Sequence, residues 1–353
     1  MSSAEKPSPS APPAPASAAA PRIVAALTAA ERERFLAPVL GRYDFTSRIE
    51  FAEEADLRPD RWADLLERLR PTILITGWST PRLPESWLVR PGCPLRHVCH
   101  VVGSVRQLVP RSFIERGGVV TNWGESISGQ VAEHGLLLAL AALRNLGLWP
   151  SFIARPVARR GIADLRTRSL SGLRVGLHGF GSVARALLPL LQPFHVSVTA
   201  YSAGVPAGIF QRHGVPAAPT LTALFAESDV LFECESLTPA TREFVSAAVL
   251  AALPDDAVFV NIGRGGIVDD AALVREGRSG RLRLALDVIT DEPVTPASPY
   301  AAVPGIVLSP HIGGPTLDHY ADCGAQALAN VALILAGIRP PDAINLEIYD
   351  RAT

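Results

Sequence analysis

The stretch VGLHGFGSVARALL, residues 175–188, reads as a buried strand, a tight glycine turn and the opening turns of a helix. An apolar run leads directly into Gly179-x-Gly181-x-x-Ala184, and small and apolar residues follow at helical spacing. Gly179 permits the tight turn, Gly181 lets the backbone approach a pyrophosphate, and the small Ala184 lets helix and strand pack closely. Ser182 and Val183 open the helix, whose unpaired N–H groups and positive dipole end suit phosphate oxygens. The strand before and the helix after favour a dinucleotide site over a ligand-free glycine turn.

Outward from this turn the same alternation continues. Residues 173–177, 196–201, 230–233, 257–261, 282–287 and 306–308 are short apolar runs separated by helical segments, as in a parallel sheet with helices on its faces. Pro189 and Pro193 are expected to end the first helix early. A second series lies nearer the start, with strands expected over 22–27, 72–76, 96–102 and 118–121 and helices over 31–40 and 62–69. Residues 130–146 and 317–336 are long Ala/Leu-rich helices, 149–172 is an arginine-rich connection, and the chain after 336 turns polar and proline-rich. Residues 1–21, rich in Ala, Pro and Ser, are expected to form a disordered tail.

Composition removes several classes of chemistry. The chain has 353 residues, with 48% hydrophobic and 19% charged, enough for a sizeable core in two domains. A net charge of −1 gives no electrostatic footprint for nucleic acid, and no apolar run is long enough to suggest a membrane span. Lys6 is the only lysine and falls in the tail, so a Schiff base, a pyridoxal phosphate anchor or a P-loop is improbable. Cys93, Cys99, Cys234 and Cys323 are scattered, which fits a reducing, cytoplasmic setting.

In a dinucleotide site an acidic residue about 20 positions beyond the first glycine commonly bonds the adenosine ribose. Ser202 stands there instead, with no arginine nearby in sequence until Arg212. NAD is expected because the positive charge that would reward a 2′-phosphate is missing, but NADP is not excluded.

Polar residues follow the later strands, where open parallel sheets place their ligands. Arg264 sits in NIGRGG, Asp287 and Glu292 in LDVITDEP, and His311 in SPHIGG. Together with VAEH at 131–134, the GFGSVA turn and LTPAT at 237–241, these motifs resemble the D-isomer-specific 2-hydroxyacid dehydrogenase family, over almost everything after the tail. The resemblance implies an α/β chain of two Rossmann-like or flavodoxin-like parallel-sheet domains joined by two long helices. The substrate domain would be discontinuous, 22–125 and 317–353, with a dinucleotide-binding domain at 126–316. It implies His311 as general acid/base, Glu292 as its paired carboxylate, and Arg264 as the grip on the substrate carboxylate and carbonyl oxygen. It also implies Asp287 as a nicotinamide contact, and Gly103 and Ser104 as the backbone loop that binds the substrate carboxylate.

That chemistry is coherent without the family. Reducing a 2-oxo acid needs a hydride at the carbonyl carbon and a proton at its oxygen, and a cation near that oxygen stabilises the developing charge. An imidazole beside a carboxylate can deliver the proton, and a guanidinium can bind the planar carboxylate bidentately. The expected activity is therefore NAD(P)-dependent interconversion of a 2-oxo acid and its (R)-2-hydroxy acid. Glu292 argues against the formate-oxidising branch, whose members carry an amide there. The alternative is a dinucleotide-sensing, corepressor-like binding protein on the same fold.

Other residues carry weaker readings. His134 and Glu133 are expected to anchor the long helix, and His178 and His195 to be structural or incidental. Strand alternation puts His97 and Cys99 on one face and His100 on the other, so no metal is expected. Arg106 stands where the family has Asp, and FECES departs from the family at Cys234 and Ser236. Trp78 and Trp123 are candidates for the cleft wall. The two long helices are candidates for an apolar homodimer surface.

Overall fold

The structure is a computed structural model that describes residues 20–159 and 161–351. The expected tail falls, through residue 19, outside the described residues. Two all-parallel sheets organise the rest. The first contains β1 (Ile23–Ala26), β2 (Ile49–Phe51), β3 (Ile73–Thr76), β4 (His97–His100) and β5 (Val119–Thr121), in the order β2-β1-β3-β4-β5. The second contains β6 (Arg174–His178), β7 (Ser197–Tyr201), β8 (Val230–Glu233), β9 (Val258–Asn261), β10 (Arg283–Leu286) and β11 (Val307–Leu308), in the order β11-β10-β9-β8-β6-β7. β1, β3, β8, β9 and β10 are buried at every position, as strands covered on both faces must be.

Strand order in the second sheet reverses between β6 and β8, and this crevice is where such sheets take ligands. The glycine turn leaves β6 on one side of it, and residues 234–236 leave β8 on the other. One apolar cluster runs through both sheets and both long helices, joining Ile73 and Cys99 to Ala139, Val175, Val260 and Leu328.

After the second sheet the chain returns to the first. The helix Tyr320–Leu335 crosses the segment 32–36 with no clearance, since a Cβ on Gly324 would meet the Phe35 carbonyl oxygen at 1.7 Å. Further on, the Ile344 N–H donates to Val120 O and the Tyr349 hydroxyl to Val109 O. The helix Leu346–Arg351 forms within the polar, proline-rich stretch that follows residue 336.

Three local expectations are corrected. Residues 31–40 do not form one α-helix: a short turn at Ala29–Glu31 passes into a π-helical segment, Arg32–Leu36, and a 3-10 segment, Ala37–Arg42. Pro38 has no N–H to continue an α ladder. Pro189 does not end its helix, which runs Ser182–Leu191, two residues past the proline, and gives way to a 3-10 segment, Gln192–Phe194, that carries Pro193. The long helices Ser128–Leu143 and Tyr320–Leu335 spend most of their apolar side chains inside the chain. Exposed apolar residues cluster instead on the connection, at Leu146, Trp149, Ile153, Val157 and Ile162. No single described helix is long and apolar enough to cross a membrane.

Candidate active site

The carboxyl ends of both sheets open onto one cleft of about 720 Å³. From the first sheet, Trp78 follows β3, Gly103 and Ser104 follow β4, and Asn122 and Trp123 follow β5. From the second, Ser182 and Val183 follow the β6 turn, Cys234 to Ser236 follow β8, Arg264 follows β9, Asp287 follows β10, and His311 to Pro315 follow β11. Strand direction alone thus brings segments distant in sequence to one rim.

The glycine turn fits a dinucleotide pyrophosphate. Gly179 has φ +86°, and a Cβ there would sit 2.6 Å from the backbone nitrogen of Glu235, so only glycine lets the turn lie against β8. Gly181 faces open space at the start of the ten-residue helix Ser182–Leu191, leaving room for phosphate at its N–H groups.

His311 and Glu292 meet at 2.6 Å, Nδ1 to Oε2, and Glu292 Oε1 also takes the Ile289 N–H at 3.3 Å. His311 lines the cleft, and Nδ1 is the ring nitrogen committed to Glu292. His311 adopts φ +55°, a left-handed conformation uncommon for a residue with a side chain. Asp287 holds that loop in place. Its backbone oxygen accepts the His311 N–H, and its carboxylate accepts the N–H groups of Ile312 and Gly313 and the Ser309 hydroxyl. His134 Nε2 closes the network, 2.8 Å from Ser309 Oγ and 3.2 Å from Asp287 Oδ1. Burial alone would raise the Asp287 pKa, but the bonds from His134, Ser309, Ile312 and Gly313 outweigh it and hold the carboxyl well below the usual range.

Arg264 lies across the cleft, its loop docked on the chain that carries Glu292. A Cβ on Gly265 would be 2.0 Å from the Ile289 carbonyl carbon, so the GRGG and LDVITDEP loops are in direct backbone contact. Asn261 Nδ2 donates to Arg264 O, and Arg264 Nη1 donates to Gly263 O at 2.8 Å. Burial lowers the Arg264 pKa from its ordinary value, while Glu292 and Asp287 favour the charged guanidinium.

The remaining residues sort clearly. Gly103 and Ser104 line the cleft, and the Gly103 carbonyl is held by Asn122 Nδ2 at 2.7 Å. Trp78 and Trp123 are both on the cleft wall. Trp78 packs edge-on against Phe35 and Tyr320, an aromatic group that sequence reasoning missed because its members lie far apart in the chain. Buried Glu31 accepts the Ser79 N–H at 2.9 Å and so fixes the Trp78 loop. Arg106 is not among the cleft-lining residues; its charge acts on Tyr349 and Asp350. His178 is not incidental: it is buried against Glu233 at 2.5 Å, Nδ1 to Oε2. Burial lowers its pKa, but Glu233 and Glu235 outweigh that and raise it. Ser202 and Glu235 sit beside the phosphate turn in a second cavity of about 330 Å³. The absence of arginine near Ser202 held for the sequence only, since the fold brings Arg185 and Arg351 to that cavity.

Comparisons with known proteins agree with this fold. Residues 136–313 match the family model described as D-isomer specific 2-hydroxyacid dehydrogenase, NAD binding domain. Glyoxylate reductase/hydroxypyruvate reductase of Mus musculus is 35% identical over 85% of this chain and 94% of its own length. D-3-phosphoglycerate dehydrogenase of Mycobacterium leprae is 30% identical over 66% of this chain, which spans only 43% of that relative's length. The crystal structure of a glyoxylate reductase from Paecilomyes thermophila superposes with a TM-score of 0.73, covering 92% of this chain and 98% of its own at 19% identity, a likeness of fold. With a nicotinamide-dinucleotide domain over half its length and a full-length relative above 30% identity, the chain belongs to the D-isomer-specific 2-hydroxyacid dehydrogenase family.

Proposed function

We propose that the protein reduces a 2-oxo acid to the (R)-2-hydroxy acid, with residues 22–125 and 317–353 binding substrate and 126–316 binding NAD(P)H. The observation that carries this reading is the convergence of Arg264 and the Glu292-bound His311 on a cleft that the glycine turn also enters. Gly179, Gly181, Ser182, Val183 and Ser202 would hold the dinucleotide, which when bound would supply the hydride. Arg264 grips the substrate carboxylate and carbonyl oxygen, and backbone N–H groups at Gly103 and Ser104 complete the carboxylate site. As negative charge develops on the carbonyl oxygen, the guanidinium stabilises it and His311 Nε2 delivers a proton. Glu292 fixes the ring with Nδ1–H towards its carboxylate. Asp287 acts chiefly by positioning the His311 loop, in addition to any nicotinamide contact.

Among the described residues lining the cleft, Arg264 and His311 are the only basic ones, and Trp78, Trp123 and Tyr320 supply aromatic walls. This favours a substrate with an uncharged side chain over a phosphorylated one. The exposed apolar connection favours a second copy of the chain as partner, and the four free thiols suit a reducing, cytoplasmic setting. The test is loss of reduced-nicotinamide absorbance with a panel of 2-oxo acids, followed by chiral analysis of the product. Turnover giving the (R)-acid is expected. Tight dinucleotide binding with no turnover on any 2-oxo acid would favour the corepressor-like alternative.

A further inference from the structure

Ser202 stands just after β7, where a carboxylate commonly meets the adenosine ribose, and a serine hydroxyl carries no charge to repel a 2′-phosphate. The fold supplies a partner from the next strand. Ser202 Oγ donates to Glu235 Oε2 at 2.7 Å, and both residues are 8% exposed on the wall of the cavity beside Gly181. Glu235 is fixed twice more: its Oε1 accepts the Ser236 N–H at 2.9 Å, and its own N–H donates to Glu233 Oε1 at 2.9 Å. Two buried carboxylates therefore leave the end of β8. Glu233 turns inward and pairs with His178, whereas Glu235 makes no ion pair among the described residues. Because the Ser202 hydrogen is committed to Glu235, the Ser202 oxygen keeps only lone pairs to offer outward.

We propose that Glu235, acting with Ser202, is the residue that selects NAD over NADP. A ribose diol brings two O–H donors, which find acceptors on the Ser202 hydroxyl oxygen and the Glu235 carboxylate. A 2′-phosphate brings acceptors and negative charge, which meet the same acceptors and a buried carboxylate that makes no ion pair among the described residues. Two arginines reach this cavity, but Arg185 is held by Glu125 at 2.6 Å, and Arg351 lies 3.9 Å from Glu347. The inference rests on the dinucleotide reading of the glycine turn. It adds a specificity determinant on β8 that compensates for the missing acid on β7.

Equilibrium titrations of the whole protein with NADH and NADPH, followed by tryptophan fluorescence, test it without turnover. NADH is expected to bind at least 30-fold more tightly than NADPH. Glu235→Gln should narrow that ratio at least tenfold, mainly by tightening NADPH, since the amide keeps a Ser202 contact and can donate to phosphate. The wild-type protein should likewise bind 5′-AMP well and adenosine 2′,5′-bisphosphate poorly, a comparison that can overturn the proposal even if Glu235→Gln does not fold. Equal affinity for the two members of either pair, or an unchanged ratio in Glu235→Gln, would overturn the assignment and leave Arg185 and Arg351 as readers of a phosphate. If no nucleotide bound at all, the reading of the glycine turn itself would fail.

Discussion

His311 Nδ1 lies 2.6 Å from Glu292 Oε2, so one ring nitrogen of this cleft-lining residue is already committed before substrate enters. The loop bearing the imidazole and the loop bearing the carboxylate follow adjacent strands, β11 and β10, which explains how residues 19 apart in sequence meet. Replacing Glu292 by Gln keeps the shape but removes the charge that steadies an imidazolium. The expected result is a fall in kcat of roughly 100-fold with KM for the 2-oxo acid little changed, read by steady-state kinetics.

Arg264 should show the opposite split. Arg264→Gln removes the cation for the substrate carboxylate and for the developing oxyanion. KM should rise about 100-fold, with kcat falling as well, while NADH affinity stays within a few-fold. Unchanged KM would place the substrate carboxylate elsewhere in the cleft.

The first sheet carries its own pH signature. His100 ends β4, is buried, and has its Nδ1 2.9 Å from Thr76 Oγ1. Burial pulls its pKa down to about 4, against weaker opposing bonds involving Ser104 and Thr76. In the unfolded chain the same ring titrates near ~6.5, so the unfolded state takes up the proton first as pH falls. The associated stability is fully present above that value, is lost as pH drops from about 6.5 to about 4, and amounts to about 3 kcal/mol. His100→Asn should flatten that acid-side slope in urea-unfolding midpoints measured across this window. His178, whose pKa is raised, contributes with the opposite sign, and its contribution should be the same in both proteins.

Much of the architecture was legible from short periodic signals. The βα alternation and the glycine turn sufficed for the second sheet, because its inner strands β6, β8, β9 and β10 are almost wholly buried, mainly apolar runs that no helix period explains. Ile49–Phe51 was not, being a three-residue edge strand with one fully buried side chain and too little pattern to separate it from a loop. In the site, Arg264, Glu292 and His311 were readable because each follows a strand in a glycine- or proline-marked loop. The Ser202–Glu235 bond and the Phe35–Trp78–Tyr320 contacts were not, because they depend on which strands and helices end up adjacent, and nothing local in the sequence encodes that pairing.

The connection between the long helix and β6 predicts an assembly. Val157 and Ile162 are 77% and 79% exposed, with Leu146, Trp149 and Ile153 beside them in sequence, more apolar surface than a solitary chain usually shows in one segment. Equilibrium sedimentation should give a dimer. The combined substitution Trp149→Ser, Ile153→Ser and Val157→Ser should give a folded monomer, and a monomeric wild-type protein would contradict the prediction.

The most direct test of the central claim is His311→Gln, assayed twice on one preparation, for 2-oxo acid reduction and for NADH binding. Removing the proton donor from an otherwise intact cleft should lower kcat/KM on the order of 10³-fold while NADH affinity changes by no more than a few-fold. Reduction within a few-fold of wild type, or parallel loss of reduction and NADH binding, would contradict the assignment of His311 as the acid.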